Sequence, residues 1–343
     1  MPAIKKPNQH FDVTTYTGNS STTQNINTGI SPDFVWIKSR TSGTGHHSLI
    51  DRVRGDIALN SNQTVAEYSV GDFNMNTNGT IDVPFFANDY SMNTSGNSYV
   101  AWNWKAGGAA VTNTSGTISS QVSANPIAGF SVVTYTGNGT AGATIGHGLG
   151  VAPSMMIAKN RSSGGSASYE WTVYHTSLGA TKAVFLNDTG AAATDAGYWY
   201  NTAPTSTLIT VPSNTRTNVN GSNFVIYCFA QVAGYSAFGS YTGNGSTDGS
   251  FVYLGFKPKF IMLKNSTSAT SWSMLDTSRN TYNISNTRLF AESSQVEDTS
   301  QDTMDILSNG FKLRTTGLGV NGNGSTIIYM AFAENAFKIA RAR

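Results

Sequence analysis

The chain is poor in charge: only 12% of its 343 residues are Asp, Glu, Lys or Arg, and the formal net charge is +2. A nucleic-acid partner requires a Lys/Arg-rich face that neutralises phosphates. Here the local basic clusters are Lys5-Lys6 and the Lys338, Arg341, Arg343 tail, so no nucleic-acid partner is expected. The single cysteine, Cys228, has no internal disulfide partner and sits in the apolar run Val225 to Phe229, which marks an inert core thiol. Long apolar runs are missing too. No stretch reads as a membrane span, and Met1-Pro2-Ala3-Ile4-Lys5-Lys6 opens on no apolar segment of a signal peptide. The expectation is a chain made and folded in a cytoplasm, without membrane insertion.

Chemistry-bearing constellations are also scarce. Of the histidines His10, His46, His47, His147 and His175, only His46 and His47 are neighbours, and no Cys or carboxylate stands beside them at metal-ligand spacing. Glu297-Asp298, Asp302 and Asp305 lack the alternation of an EF-hand and read as a solvated loop. There is no Gly-x-Ser-x-Gly elbow, and the Gly-rich segment Gly142 to Gly150 lacks the Lys-Ser/Thr of a phosphate loop. The expectation is no enzyme and no cofactor.

What the chain does have is repetition. Tyr16-Thr17-Gly18-Asn19, Tyr135-Thr136-Gly137-Asn138 and Tyr241-Thr242-Gly243-Asn244 each lead to a Pro-led apolar segment ending in Lys, at Pro32 to Lys38, Pro153 to Lys159 and Pro258 to Lys264. Each copy closes on an aromatic-rich strand: Tyr99 to Trp104, Phe224 to Phe229 and Ile327 to Phe332. The spacing is roughly a hundred residues, domain length rather than the 20 to 50 of a solenoid. Period-2 alternation before Thr-Gly-Asn turns, with Asn-Gly and Asp-Gly pairs at Asn78, Asn220, Asp248 and Asn309, predicts strands and tight hairpins. The predicted fold is all-β, with three tandem, mutually similar β-sandwich domains of jelly-roll or lectin-like type. The expected order is an N-terminal arm 1–10, repeats 11–108, 129–234 and 235–338, a linker 109–128 that reads equally as a bridging hairpin, and a basic tail 339–343.

Two repeats carry Asp-x-x-Arg, as Asp51 with Arg54 and Asp276 with Arg279; the second has His175 and Leu178 there. These pairs are expected to be structural, fixing a turn or an inter-domain contact. The recurrent lysines are expected either to cap a strand end in solvent or to touch a neighbouring domain. The aromatic trio Tyr198-Trp199-Tyr200, set among loop formers, reads either as a buried strand of the second repeat or as a binding group; with His175 it supplies the candidate binding residues, which makes the second repeat the expected recognition surface.

The Tyr-Thr-Gly-Asn and Pro-x-Phe-Val-x-x-Lys motifs, the ending Ala101-Trp102-Asn103-Trp104-Lys105-Ala106-Gly107-Gly108, and the segments Ser308 to Arg314 and Tyr329 to Glu334 resemble a repeated domain of tailed-bacteriophage structural proteins, especially of marine phages. The resemblance covers residues 11 to 338. It implies a virion location and a non-enzymatic role as a tail-associated fibre or receptor-binding component, with a capsid or tail decoration protein as the alternative and a polysaccharide depolymerase behind both. Implied partners are other virion proteins, a host surface glycan or receptor, and further copies of the chain, a trimer among the states considered.

Overall fold

In the computed structural model, residues 4, 6–86, 91–162, 164–165 and 169–334 are described; Lys5, Lys338 and the basic tail 339–343 lie outside them. The fold is all-β. Its helical elements are short, among them the 3-10 turn Pro7–Gln9 and the helices Ala196–Trp199 and Leu318–Asn321.

Alternation of side chains along the closing strands decides the layering. In Ser98–Trp104, Val100, Trp102 and Trp104 enter one core while Tyr99 and Ala101 enter another. Asn223–Phe229 divides in the same way, with Val225, Tyr227 and Phe229 against Phe224, Ile226 and Cys228. So does Thr326–Ala333, with Ile328, Met330 and Phe332 against Ile327, Ala331 and Ala333. Both faces are apolar because both are covered, which is why these strands read as continuous apolar runs.

Three large antiparallel sheets result. The first orders its strands Phe11–Thr17, Ser98–Trp104, Phe34–Ser39, Ser48–Asp51, Ile57–Leu59, Tyr68–Ser69. The second runs Val111–Asn113, Ser120–Asn125, Phe130–Thr136, Asn223–Phe229, Met155–Asn160, Thr172–His175, Lys182–Phe185, Ala193–Thr194. The third runs Ser236–Thr242, Thr326–Ala333, Pro258–Asn265, Ser273–Asp276, Leu289–Phe290. A small sheet covers the outer face of each: Thr23–Asn27 with Thr80–Pro84 and Asn74–Met75, Ala143–Gly146 with Leu208–Val211, and Phe251–Tyr253 with Gly310–Leu313 and Met304–Leu307.

The inner faces of all three large sheets meet in one central cluster. At its heart the rings of Trp104, Phe229 and Phe332 form a triangle, with centroids 6.1, 5.8 and 6.1 Å apart. Of the two readings of residues 109–128, the hairpin holds and the free linker does not, because Val111–Asn113 and Ser120–Asn125 pair and extend the edge of the second large sheet. In the N-terminal arm Ile4 is 2% exposed in the central cluster and Pro7 is buried.

The Tyr-Thr-Gly-Asn turns are clasps. The Tyr16, Tyr135 and Tyr241 hydroxyls donate to the carbonyls of Met92, Thr217 and Val320. The Asn19, Asn138 and Asn244 amides donate to the side chains of Asn93, Asn218 and Asn321, all at 2.9–3.0 Å. Glycine is required between them because a Cβ at Gly18, Gly137 or Gly243 would run into the carbonyl oxygen of Thr94, Val219 or Gly322. Gly137→Ala is therefore expected to destabilise the fold by about 2 kcal/mol, the two loops being forced apart. Urea denaturation checks it, and an unchanged midpoint would show that the clasp yields freely.

Candidate functional site

The third inward position of each Pro-led strand is the recurrent lysine, and all three lysines are fully buried. Nζ of Lys38 donates to the Ser39 carbonyl at 2.7 Å and to Ser294 at 3.0 Å, in the loop after Leu289–Phe290 of the third sheet. Lys159 reaches Asn160 at 2.8 Å and Thr64 of the first sheet's loop at 3.1 Å. Lys264 reaches Thr270 at 2.6 Å and Thr189 of the second sheet's loop at 2.7 Å. The contacts run in a ring, first sheet to third, second to first, third to second. The solvent-capping alternative is thus overturned, and the cross-sheet contact is made by the ammonium rather than by the stem.

A second ring of bonds follows the same direction. Trp171 Nε1 donates to the Asn60 carbonyl and Trp272 Nε1 to the Phe185 carbonyl, both at 2.9 Å. His47 takes this place in the first sheet. Its Nδ1 accepts from Trp36 Nε1 at 2.8 Å, so Nε2 carries the proton and donates to Phe290 and Ser293. Burial holds His47 well below the usual imidazole range, in the neutral form that this pattern needs.

The Asp-Arg positions close the same junctions from the other side. Asp51 and Arg54 form a fully buried pair at 2.5 Å. The Tyr227 hydroxyl of the second sheet donates to Asp51 and accepts from Arg54, each at 2.9 Å. Asp276 and Arg279 pair at 2.6 Å, Trp102 Nε1 of the first sheet donates to Asp276 at 3.0 Å, and the guanidinium lies 5.5 Å from the Trp102 ring. In the second sheet His175 accepts from the Ser177 amide on Nδ1 and donates from Nε2 to the Tyr329 carbonyl of the third at 3.1 Å, while Leu178 packs on the central cluster. Burial lowers His175 to about 4, so it stays neutral.

The lysines give a pH signature. Desolvation lowers Lys38 and Lys264 to about 8 and Lys159 to about 7, the carboxylate of Glu67 opposing the shift at Lys159. Between these values and the unfolded lysine value near ~10.4 the unfolded chain binds more protons, so stability rises with pH across that window. Above pH ~10 the trend reverses, because burial raises Tyr16, Tyr135, Tyr227 and Tyr241 and the unfolded tyrosines ionise first. Guanidinium midpoints are expected to be higher at pH 9 than at pH 7, reflecting a gain in unfolding free energy on the order of 1 kcal/mol per lysine. Lys159→Met should flatten that rise, and a midpoint that falls over the same interval would contradict the assignment.

The candidate binding residues separate. Trp199 is 0% exposed, in the core between the second large and small sheets, with its ring 6.0 Å from Tyr174. It sits on the short helix capped by Asp195, whose carboxylate accepts from the Gly197 amide. His175 is 1% exposed. Neither can touch a partner, so both are corrected to interior residues. Tyr198 is half-buried, edge-on to Phe185 and under Arg216. Tyr200 alone of the four is exposed, at 43%, in a left-handed conformation with φ 52°.

The acidic loop is not a bare solvated one. Glu297 bonds Arg40 and Arg279, Asp298 pairs with Arg288, and Asp305 with Arg314. Among the described residues no group of three or more His, Cys, Asp or Glu is placed to hold a metal ion. Burial pushes the Cys228 thiol up to about 12. Surface grooves are open, among them one of about 390 Å³ beside Arg52, Asp56 and Asp72. No helix of the described residues is long and apolar enough to cross a membrane.

The sequence reading missed Asn93, Asn218 and Asn321, the buried partners of the Tyr-Thr-Gly-Asn turns. Their signal was present as Asn93-Thr94-Ser95-Gly96-Asn97, Asn218-Val219-Asn220-Gly221-Ser222 and Asn321-Gly322-Asn323-Gly324-Ser325. No curated protein and no solved structure matches the chain. A family model described as a domain of unknown function (DUF7483) matches residues 6–336, across all three large sheets. The chain therefore belongs to the DUF7483 family.

Proposed function

We propose that this chain is a non-enzymatic structural protein of a tailed-bacteriophage particle, a tail-associated fibre or receptor-binding component. Its residues 11–108, 129–234 and 235–338 are read as three copies of one β-sandwich locked into a block with a threefold pseudo-axis at Trp104, Phe229 and Phe332. The observation that carries this reading is where the buried polar groups are spent. The three lysines, His47, His175 and the two Asp-Arg pairs all bond across a junction between sheets. Groups sealed in this way brace a body and do not meet a substrate, while the outside is carried by neutral Asn, Ser and Thr, as suits a displayed particle component.

The phage identity rests on the resemblance of the repeated motifs to a domain of tailed-bacteriophage structural proteins. Immuno-electron microscopy of phage particles with antibody against the purified chain tests the reading. Label on the tail is the expected result. Label over the capsid would favour the decoration alternative, and particles without label in a lysate that contains the protein would overturn a virion role.

A further inference from the structure

Exposed aromatic side chains gather in the third repeat. Phe251 and Tyr253 are 48% and 68% exposed at successive outward positions of one strand, and Tyr282 is 83% exposed. Asn283 brackets the main chain of Ile306 with two bonds, at 2.9 and 2.8 Å, which lays residues 282–284 along the far edge of the same small sheet. Across the strands Phe251 stands opposite Lys312 and Lys312 opposite Asp305, while Tyr253 stands opposite Gly310 and Gly310 opposite Leu307. The inward positions Val252, Phe311, Leu313 and Met304 are buried, so the sheet is anchored and its outer face is rigid. The Tyr253 ring lies along the Gly255 turn, where a Cβ would stand 3.6 Å from its hydroxyl.

The corresponding faces of the other two small sheets offer nothing similar. On the first, Asn25, Asn76, Thr80 and Asp82 bond one another. On the second, Thr144 is tied to Thr117 of the adjoining segment. Exposed rings held on a rigid sheet, in one repeat of three, require a use.

We propose that the outer face of the third small sheet is a carbohydrate-binding platform for a neutral glycan, an inference that rests on the host-attachment reading above. Tyr and Phe rings offer flat apolar faces to the C–H faces of pyranoses at low conformational-entropy cost. Beside them Lys312 pairs with Asp248 and Arg314 with Asp305, both at 2.6 Å, which puts ammonium and guanidinium donors and carboxylate acceptors within reach of sugar hydroxyls. The paired charges cancel, so the rim has no net field to favour an acidic polymer. Area decides against a protein partner. Two such rings bury at most about 150 to 250 Å² each, whereas a stable protein interface needs about 800 Å² per side.

The test is retention of the purified full-length chain on cells of the phage's host, either intact, periodate-oxidised or protease-shaved, and on their extracted surface polysaccharide. Periodate is expected to abolish retention and protease to leave it. The double variant Phe251→Ser, Tyr253→Ser should lose at least tenfold in retention with unchanged thermal unfolding, Tyr253→Phe should keep it, and Tyr200→Ser should bind like the parent. A folded double variant that binds as the parent does would remove the platform and leave the attachment reading standing. Loss on protease but not on periodate would assign a protein receptor and overturn the glycan. A parent chain that binds no cells and no polysaccharide would sink the attachment reading itself.

Discussion

Asp51→Ala is expected to cost about 3 to 5 kcal/mol of folding stability, the penalty for stranding a buried charge. The Arg54 side chain is fully buried, and its guanidinium is neutralised by Asp51 at 2.5 Å with Glu67 3.5 Å away. Burial pulls Arg54 down and Asp51 holds it above the ordinary arginine range; without Asp51 that support is lost, and the intrinsic basicity of a guanidinium still keeps the side chain charged. The Tyr227 hydroxyl loses its acceptor in the same step, which weakens the junction to the second sheet. Replacing both residues, as Asp51→Leu with Arg54→Met, should cost less than Asp51→Ala alone, because no charge is then left behind. The second sheet already works this way, with neutral His175 and apolar Leu178 at the corresponding positions. Denaturant unfolding of the two variants decides it. A single substitution milder than the double would show that solvent reaches Arg54.

Much of this architecture was legible because it is written in period 2. Phe34-Val35-Trp36-Ile37-Lys38 reads as a strand covered on both faces, and it is one, with Phe34 and Trp36 in the central cluster and Val35 and Ile37 in the outer one. The recurrence of Lys38, Lys159 and Lys264 pointed to one shared job, and the Asp-x-x-Arg spacing pointed to a structural pair. Which carbonyls the lysines meet could not be read, since Ser294, Thr64 and Thr189 share no pattern and belong to the loops of other sheets. Main-chain acceptors leave no mark in a sequence. Trp199 misled for a related reason: the loop formers around it build a short capped helix that turns the indole inward, and composition does not report direction. Phe251 and Tyr253 look like ordinary strand residues until the register puts both on the outer face.

Trp104→Ala is the second large effect expected, a loss of about 3 to 5 kcal/mol, with the three large sheets loosened together. Its ring is within 6.5 Å, centroid to centroid, of Phe11 and Phe34 of the first sheet, Phe130 and Phe229 of the second, and Phe260 and Phe332 of the third. A cavity there cannot be filled from one sheet without drawing on the other two, so relaxation is limited and the cost should lie at the upper end of that range. Trp104→Phe should cost well under half as much. It copies the residue that the other corners of the triangle use, Phe229 and Phe332, and it removes an indole N–H that is buried without a hydrogen-bond partner. Single-transition unfolding of Trp104→Ala, seen alike by fluorescence and by circular dichroism at a lower midpoint, is the outcome expected if the sheets share one core. Separate transitions in the parent chain would mean that the sheets unfold independently, and the triangle would then be a contact rather than a keystone.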